Sequence, residues 1–231
     1  MNLAIVGYGK MGRLVEQLAP EYGFRVALKL DEFNNVDFAG ITRENFAGVD
    51  VALEFSIPSA TVENIERIAA LGVNLVVGTT GWLGELERVK AIVERSGIGL
   101  VWSPNFSVGV NVFSRLVAEA ARLLAAEEEY GAWAWEIHHS TKKDAPSGTL
   151  LKLVDEMNKA GYRRPVDAAS NRAGRHPGTH EIGFDSAADT ITLRHTARSR
   201  EGFARGALKA ARWVAGKKGF FEFGQVLFKE V

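Results

Sequence analysis

The first hundred residues alternate short apolar runs with stretches of helical periodicity. Leu3-Ala4-Ile5-Val6 is continuously apolar and stops at Gly7, the pattern of a strand buried on both faces of a parallel sheet. Helical spacing follows over residues 11–21, and Gly23 stands where a helix C′ glycine belongs. Residues 24–30 and 49–55 read as further strands. Thr61 is placed to N-cap an amphipathic helix that reaches Ala70, with Gly72 beyond it. A strand at 74–77, a helix at 83–95 and a strand at 99–102 continue the alternation. Strand and helix in turn predict βαβ units, hence an α/β fold with a Rossmann-like, doubly wound parallel sheet.

After Pro104 the texture changes. A long helix is expected over 110–129, a strand over 133–139, a loop over 140–148 and a helix over 149–160. The polar stretch 161–179, with its glycines and proline, has weak periodicity and reads as loops. Thr190 to Thr196 alternates cleanly, as a strand with one solvated face does. Helical spacing returns over 203–214, and 217–219 turns toward an apolar tail. The expected organisation is a nucleotide-type domain (1–106 and 201–231) interrupted by an inserted α+β domain (107–200), the last helix returning to the first domain.

Composition narrows the function. The 28 basic and 28 acidic side chains cancel, so no charge footprint for nucleic-acid binding is present. Zero cysteine excludes a disulfide framework, thiol nucleophiles and Cys-ligated metal centres. Apolar runs fall short of a membrane span, and the N-terminal segment has neither the basic region nor the cleavage pattern of a signal peptide. A cytoplasmic location is the expectation.

Gly7-Tyr8-Gly9-Lys10-Met11-Gly12 matches G-x-G-x-x-G after a strand and at a helix start. Glycine suits the tight turn, the close approach to a pyrophosphate and the helix–strand packing, while free N–H groups at the helix start face the phosphates. The competing reading is a purely structural turn. Asp31, with Glu32 beside it, sits at the second strand's end, about 20 residues on, where a carboxylate binds ribose hydroxyls. A solvated loop charge is the alternative. Two carboxylates would repel a 2′-phosphate and favour NAD, whereas Lys10 and Lys29 pull toward NADP. The loops Gly78-Thr79-Thr80-Gly81 and Ser103-Pro104-Asn105-Phe106 also fall at strand ends, where ligands bind or the chain simply turns.

The densest chemistry lies in Glu136-Ile137-His138-His139-Ser140-Thr141-Lys142-Lys143-Asp144-Ala145-Pro146-Ser147-Gly148-Thr149. Adjacent strand residues point to opposite faces, so His138 and His139 have different jobs and do not share a metal. No metal site is expected. A histidine can protonate a carbon or nitrogen during a reduction, and a nearby lysine can hold a carboxylate. Ser147-Gly148-Thr149 opens a helix and so offers N–H groups and hydroxyls to an anion. A capped helix preceded by solvated charges is the bland alternative. His176, His180 and His195 read as loop or surface residues.

With these motifs in order along nearly the whole chain, the sequence resembles the dihydrodipicolinate reductases. The family signature E-x-H-H-x-x-K-x-D-A-P-S-G-T runs unbroken from Glu136 to Thr149. The glycine loop, Gly78 to Gly81 and Asn105 to Asn111 are also similar to family motifs. The resemblance implies a reductase of the diaminopimelate and lysine pathway that transfers hydride from NADH or NADPH to a small cyclic dicarboxylate, and the carboxylates of Asp31 and Glu32 lean the preference to NADH. It implies His138 as proton donor with Lys142 as its partner. It also implies His139 as a substrate contact and Ser147, Gly148 and Thr149 as a carboxylate grip. Gly7, Tyr8, Gly9, Lys10, Met11, Gly12, Asp31, Gly78, Thr79, Thr80, Ser103, Pro104, Asn105 and Phe106 would line the cofactor, with Arg200 and Phe203 near the nicotinamide. A homotetramer assembled through the second domain's sheet is implied as well. Three departures bear on cofactor preference and oligomer geometry: a glycine loop one residue shorter with Lys10 in place of arginine, Ile57 where many members carry arginine, and a short 161–189 region. Two other hypotheses stand beside this one: another Rossmann oxidoreductase acting on a small acid, and a nucleotide-sensing protein without catalysis.

Overall fold

The computed structural model describes residues 1–228, which divide into two compact units, Met1–Val108 with the chain from Glu201 onward, and Gly109–Arg200. In the first unit, β1 (Asn2–Val6), α1 (Lys10–Leu18), β2 (Arg25–Leu30), β3 (Val51–Glu54), α2 (Pro58–Ala70), β4 (Asn74–Val77), α3 (Leu86–Ser96) and β5 (Gly99–Trp102) follow one another. In the second, α4 (Val108–Leu123) leads to β6 (Gly131–His138), α5 (Gly148–Lys159), β7 (Val166–Arg172), β8 (Thr179–Asp185) and β9 (Thr190–Thr196). The chain returns as α6 (Glu201–Val214), β10 (Gly219–Glu222) and α7 (Phe223–Leu227).

The six strands of the first unit are all parallel, in the order β10-β5-β4-β3-β1-β2. Leu3, Ile5, Leu53 and Val76 face a layer built on α1 and α6, whereas Ala4, Val6, Leu75 and Leu100 face α2 and α3. Both faces are covered, which is why the interior strands β1, β3, β4 and β5 are almost wholly apolar, whereas the edge strand β2 alternates and exposes Arg25 and Lys29. Succession runs outward from β1 to β2 and then reverses to β3, so the switch point lies at the C-terminal ends of β1 and β3. The second unit has the sheet order β7-β6-β8-β9, with β6 and β7 parallel and the other pairs antiparallel. Phe113 and Val117 of α4 and Leu150, Leu153 and Met157 of α5 cover one face of this sheet over Ala134, Ile182 and Phe184.

Several sequence expectations change. Thr61 is not an N-cap: α2 starts earlier with Pro58 in its first turn, and the buried Thr61 hydroxyl donates to the Ile57 carbonyl at 2.9 Å. The first helix ends at Leu18, and a 3-10 turn over Ala19–Tyr22 with Pro20 near its start carries the chain to Gly23, at φ +77°. Helix α4 stops at Leu123 rather than at residue 129. The Arg164 guanidinium takes the carbonyls of Leu124 and Ala125 at 2.8 and 3.2 Å, and the acidic run at 127–129 disfavours a helix C-terminus. The stretch 161–179 is not all loop, because it contains β7. Most side chains of that edge strand are exposed, so pairing is through the backbone and no apolar period marks it. Strand β8 lies where the pattern predicts no element, and the apolar tail holds β10 as the sheet's sixth strand. His180 is no surface residue: it is buried on β8 at 5% exposure, and His195 is half-buried.

Candidate active site

The loops singled out by sequence gather at the C-terminal ends of the first sheet. Gly7, at φ +96°, lies where a Cβ would overlap the Phe55 carbonyl, so only glycine lets β1 and β3 close against each other here. A Cβ at Gly12 would come 2.6 Å from the Gly7 carbonyl oxygen, whereas one at Gly9 would meet open space. That open side, at the start of α1, is where a pyrophosphate fits. A cleft of about 600 Å³ borders it, lined among others by Tyr8, Arg13, Asp31, Glu32, Phe33 and Ile57.

Asp31 borders the cleft while bracing its own loop, its Oδ1 accepting the amides of Phe33 and Asn34 at 2.9 and 3.2 Å. Lys29 is held by Glu16 at 2.9 Å, and Glu16 also accepts the Tyr8 hydroxyl. Arg13 and Lys29 both stand over the Tyr8 ring, at 5.7 and 5.0 Å. Lys10 is exposed at the head of α1.

Glu54, unremarked in the sequence, closes β3 with its side chain fully buried. Its Oε1 accepts the Ser56 amide at 3.1 Å, the Ser56 hydroxyl and the Asn64 amide at 3.3 Å. Burial pushes this carboxyl above the usual range, against the pull of its hydrogen bonds. A carboxylate ending an otherwise apolar strand was the available signal. At the next strand end, the Gly78 Cα lies against the Phe55 ring and the Thr79 carbonyl accepts Trp82 Nε1 at 2.8 Å. Ser103 Oγ links to the Asn105 amide and carbonyl at 3.1 and 2.8 Å. Phe106 is buried against Phe223, ring centroids 4.9 Å apart, which leaves only its backbone for a ligand. Arg200 is exposed and Phe203 half-buried at the start of α6.

The second unit assembles the histidine–lysine segment differently from the sequence order. Glu136 and His138 share the inner face of β6, and His139, at the strand's end, is half-exposed with its Nδ1 2.8 Å from the Thr141 hydroxyl. Glu136 Oε1 accepts the Ser147 amide at 2.7 Å, the Ser170 hydroxyl at 2.9 Å and Arg172 at 2.8 Å. Burial pushes this carboxyl up, but those bonds outweigh it and bring it down to about 2. Its Oε2 lies 2.9 Å from His138 Nδ1 and 3.5 Å from His180 Nε2. The 2.9 Å pair is off hydrogen-bond alignment, so both atoms are buried without a hydrogen-bond partner. The His138 and His180 rings meet edge to face at 5.1 Å. Burial lowers His138, and it lowers His180 to about 4 with help from the His138 charge.

Ligand atoms of Glu136, His138 and His180 lie within 4.8 Å of one another, close enough to surround a cation. The Arg172 guanidinium supplies a positive charge to the other oxygen of Glu136, at 2.8 Å. Ser147 is drawn inward: its hydroxyl accepts the Leu150 amide as N-cap at 3.2 Å and lies 3.1 Å from His180 Nε2. Gly148 and Thr149 keep the accessible start of α5, a Cβ at Gly148 meeting nothing. Lys142 Nζ is held by Asp144 at 2.7 and 2.9 Å. His180 was missed because one histidine in a glycine-rich polar stretch carries no pattern; only the β6–β8 register, which sets Glu136 opposite His180, brings it here.

Residues 1–106 match the family model described as dihydrodipicolinate reductase, N-terminus, and residues 109–227 match dihydrodipicolinate reductase, C-terminus. A 4-hydroxy-tetrahydrodipicolinate reductase of Christiangramia forsetii is 35% identical over 98% of both chains. One from Methanoregula boonei is 41% identical over 77% of this chain and 74% of its own. Among solved structures, the dipicolinate-bound dihydrodipicolinate reductase of a Paenisporosarcina species shares the fold, with a TM-score of 0.81 at 20% identity over 98% of this chain and 99% of that one. The glycine loop, the paired histidines and the capped helix thus sit in a chain that both family models cover nearly from end to end, and the chain belongs to the dihydrodipicolinate reductase family.

Proposed function

We propose that this chain reduces 4-hydroxy-tetrahydrodipicolinate to tetrahydrodipicolinate with a pyridine nucleotide, in the route to diaminopimelate and lysine. The carrying observation is the unbroken segment from Glu136 to Thr149, folded so that a strand-end histidine and an accessible helix start belong to one unit. Residues 1–106 and 201–231 serve as the dinucleotide-binding domain, and 107–200 as the substrate-binding and oligomerisation domain.

When bound, the reduced nicotinamide supplies the hydride. Gly7, Gly9 and Gly12 admit the pyrophosphate to the start of α1, with Tyr8, Lys10 and Met11 completing that loop. Asp31 meets the ribose, and Gly78, Thr79, Thr80, Ser103, Pro104, Asn105 and the Phe106 backbone border the nicotinamide, with Arg200 and Phe203 beside it. The 4-hydroxyl of the precursor leaves as water, and His138 protonates the ring carbon next to the site of hydride addition, so that hydride and proton together reduce the dehydrated ring. One substrate carboxylate lies on the N–H groups of Gly148 and Thr149, favoured by the positive end of the helix dipole. His139 and Lys142 hold the other, the ammonium exchanging Asp144 for substrate. NADH is favoured over NADPH, because Asp31 and Glu32 both border the cleft and Glu16 neutralises Lys29. The active form is a homotetramer in the cytoplasm.

The test is a coupled assay in which a synthase generates the cyclic product and nicotinamide absorbance is followed with NADH and NADPH in turn. Oxidation that depends on the synthase product is expected, faster with NADH. No oxidation with either cofactor, despite measurable NADH binding, overturns the reading. His138→Ala should lower turnover by roughly 10²–10⁴ with NADH affinity kept.

A further inference from the structure

We infer that Glu136 is a positioning residue: its buried carboxylate holds the His138 imidazole with Nδ1 turned inward, so that Nε2 is the atom that presents the proton to the substrate. The inference rests on the reductase reading of His138 and goes beyond it, since Glu136 itself touches no reacting atom.

Geometry carries the case. A buried imidazole next to a carboxylate keeps whichever tautomer lets it donate to that carboxylate, and this decides which nitrogen faces outward. Glu136 Oε2 and His138 Nδ1 are 2.9 Å apart, both buried and neither with a hydrogen-bond partner, and a slight turn of the ring that aligns a proton on Nδ1 with Oε2 satisfies both at once. The carboxylate cannot swing away. Its other oxygen is fixed by bonds from three elements: the Ser147 amide before α5, and the Ser170 hydroxyl and Arg172 guanidinium on β7. At the opposite end of the ring stands Gly178, at φ +140°, whose missing side chain keeps Nε2 clear, since a Cβ there would come within 2.8 Å of that nitrogen.

The charges around His138 act with opposite signs. Glu136 on its own strand and Asp144 in the following loop favour the imidazolium, whereas Lys142 in that loop and Arg172 on β7 disfavour it. His180 on β8 packs edge to face against the ring, and burial keeps it neutral near pH 7, so two imidazolium ions do not face each other. A group that donates a proton loses its function as pH rises through its pKa. Removing the Glu136 charge must therefore pull the alkaline limb of the rate profile down in pH, and removing Arg172 must push it up. Two side chains that merely held the fold together would not move the limb in opposite directions when the charge of each is deleted in turn.

The experiment compares wild type, Glu136→Gln and Arg172→Gln by two readouts: kcat and KM against pH in the coupled assay, and 15N histidine NMR across the same range. In Glu136→Gln we expect kcat about 10–100-fold lower with KM within about twofold, and the alkaline limb about one pH unit lower. In Arg172→Gln we expect the limb to move to higher pH. By NMR, neutral His138 in the wild type should carry its proton on Nδ1, a preference lost in Glu136→Gln. A wild-type His138 protonated on Nε2, or a limb unmoved in both variants, overturns the inference. Should Glu136→Gln fail to fold, the wild-type tautomer and the Arg172→Gln shift still decide. Should wild type show no turnover, the reductase reading falls while the NMR arm still tests Glu136.

Discussion

At the scale of single residues, the buried histidines and Glu136 all make stability fall as pH drops, in successive windows. His180 titrates at about 4 in the folded chain against 6.5 ordinarily, so between those values the unfolded chain binds a proton that the folded one refuses. Stability must then fall as pH drops from 6.5 toward 4. His138 and His195, lowered by burial, add to it. Glu136 contributes stability that is fully present above its ordinary 4.5 and is lost as pH falls toward about 2. Thermal unfolding at pH 7, 6 and 5 should show a decline of several degrees, each kcal/mol being worth roughly 2–4 °C at this size. His180→Gln should flatten that decline; an equally steep curve would mean that His180 is not the group refusing the proton. The candidacy of His138 was legible because a long motif surrounds it. That of His180 was not, because its meaning depends on a strand pairing with Glu136.

At the scale of elements, packing overrides propensity where α6 crosses the β5–α4 connection. Glycine inside a helix costs about 1 kcal/mol relative to alanine, so Gly206→Ala would be stabilising on propensity alone. Yet Gly206 is buried, and a Cβ there would overlap the Phe106 carbonyl oxygen, a backbone atom that no rotamer change can move. Overpacking of this kind costs about 1–3 kcal/mol. Gly206→Ala should therefore lower the urea midpoint; an unchanged or higher midpoint would show that the loop yields cheaply. The interior strands β1, β3, β4 and β5 were readable because burial on both faces demands continuous apolar runs, whereas β10 lay hidden in an apolar tail. Edge strand β7 was unreadable because its backbone pairs with β6 while most of its side chains stay exposed. The end of α4 depends on Arg164, some forty residues downstream, taking the last carbonyls, which no local window contains.

At the scale of the whole molecule, the second sheet is covered by helices on one face, and its other face presents Trp133, Trp135 and Ile137, all half-exposed. Trp133 lies flat over Gly183, and Arg194 stacks 5.7 Å from the Trp135 ring. An apolar face of this kind suits the homotetramer proposed above. Ile137→Lys should shift sedimentation from a tetramer to smaller species; a wild type that already sediments as a monomer would remove this face from any assembly. The sequence by itself determined the alternation of strand and helix in the first unit, the glycine loop and the chemical inventory of the Glu136–Thr149 segment. Each is a local pattern of apolar period, turn residues or motif spacing. Tertiary structure alone decided that Glu136, Arg172 and His180 surround His138, that Lys29 is taken by Glu16, and that Ser147 is turned inward. Apart from Glu136 and His138, which share a face of β6, those contacts join residues well separated in the chain, and strand register and burial bring them together.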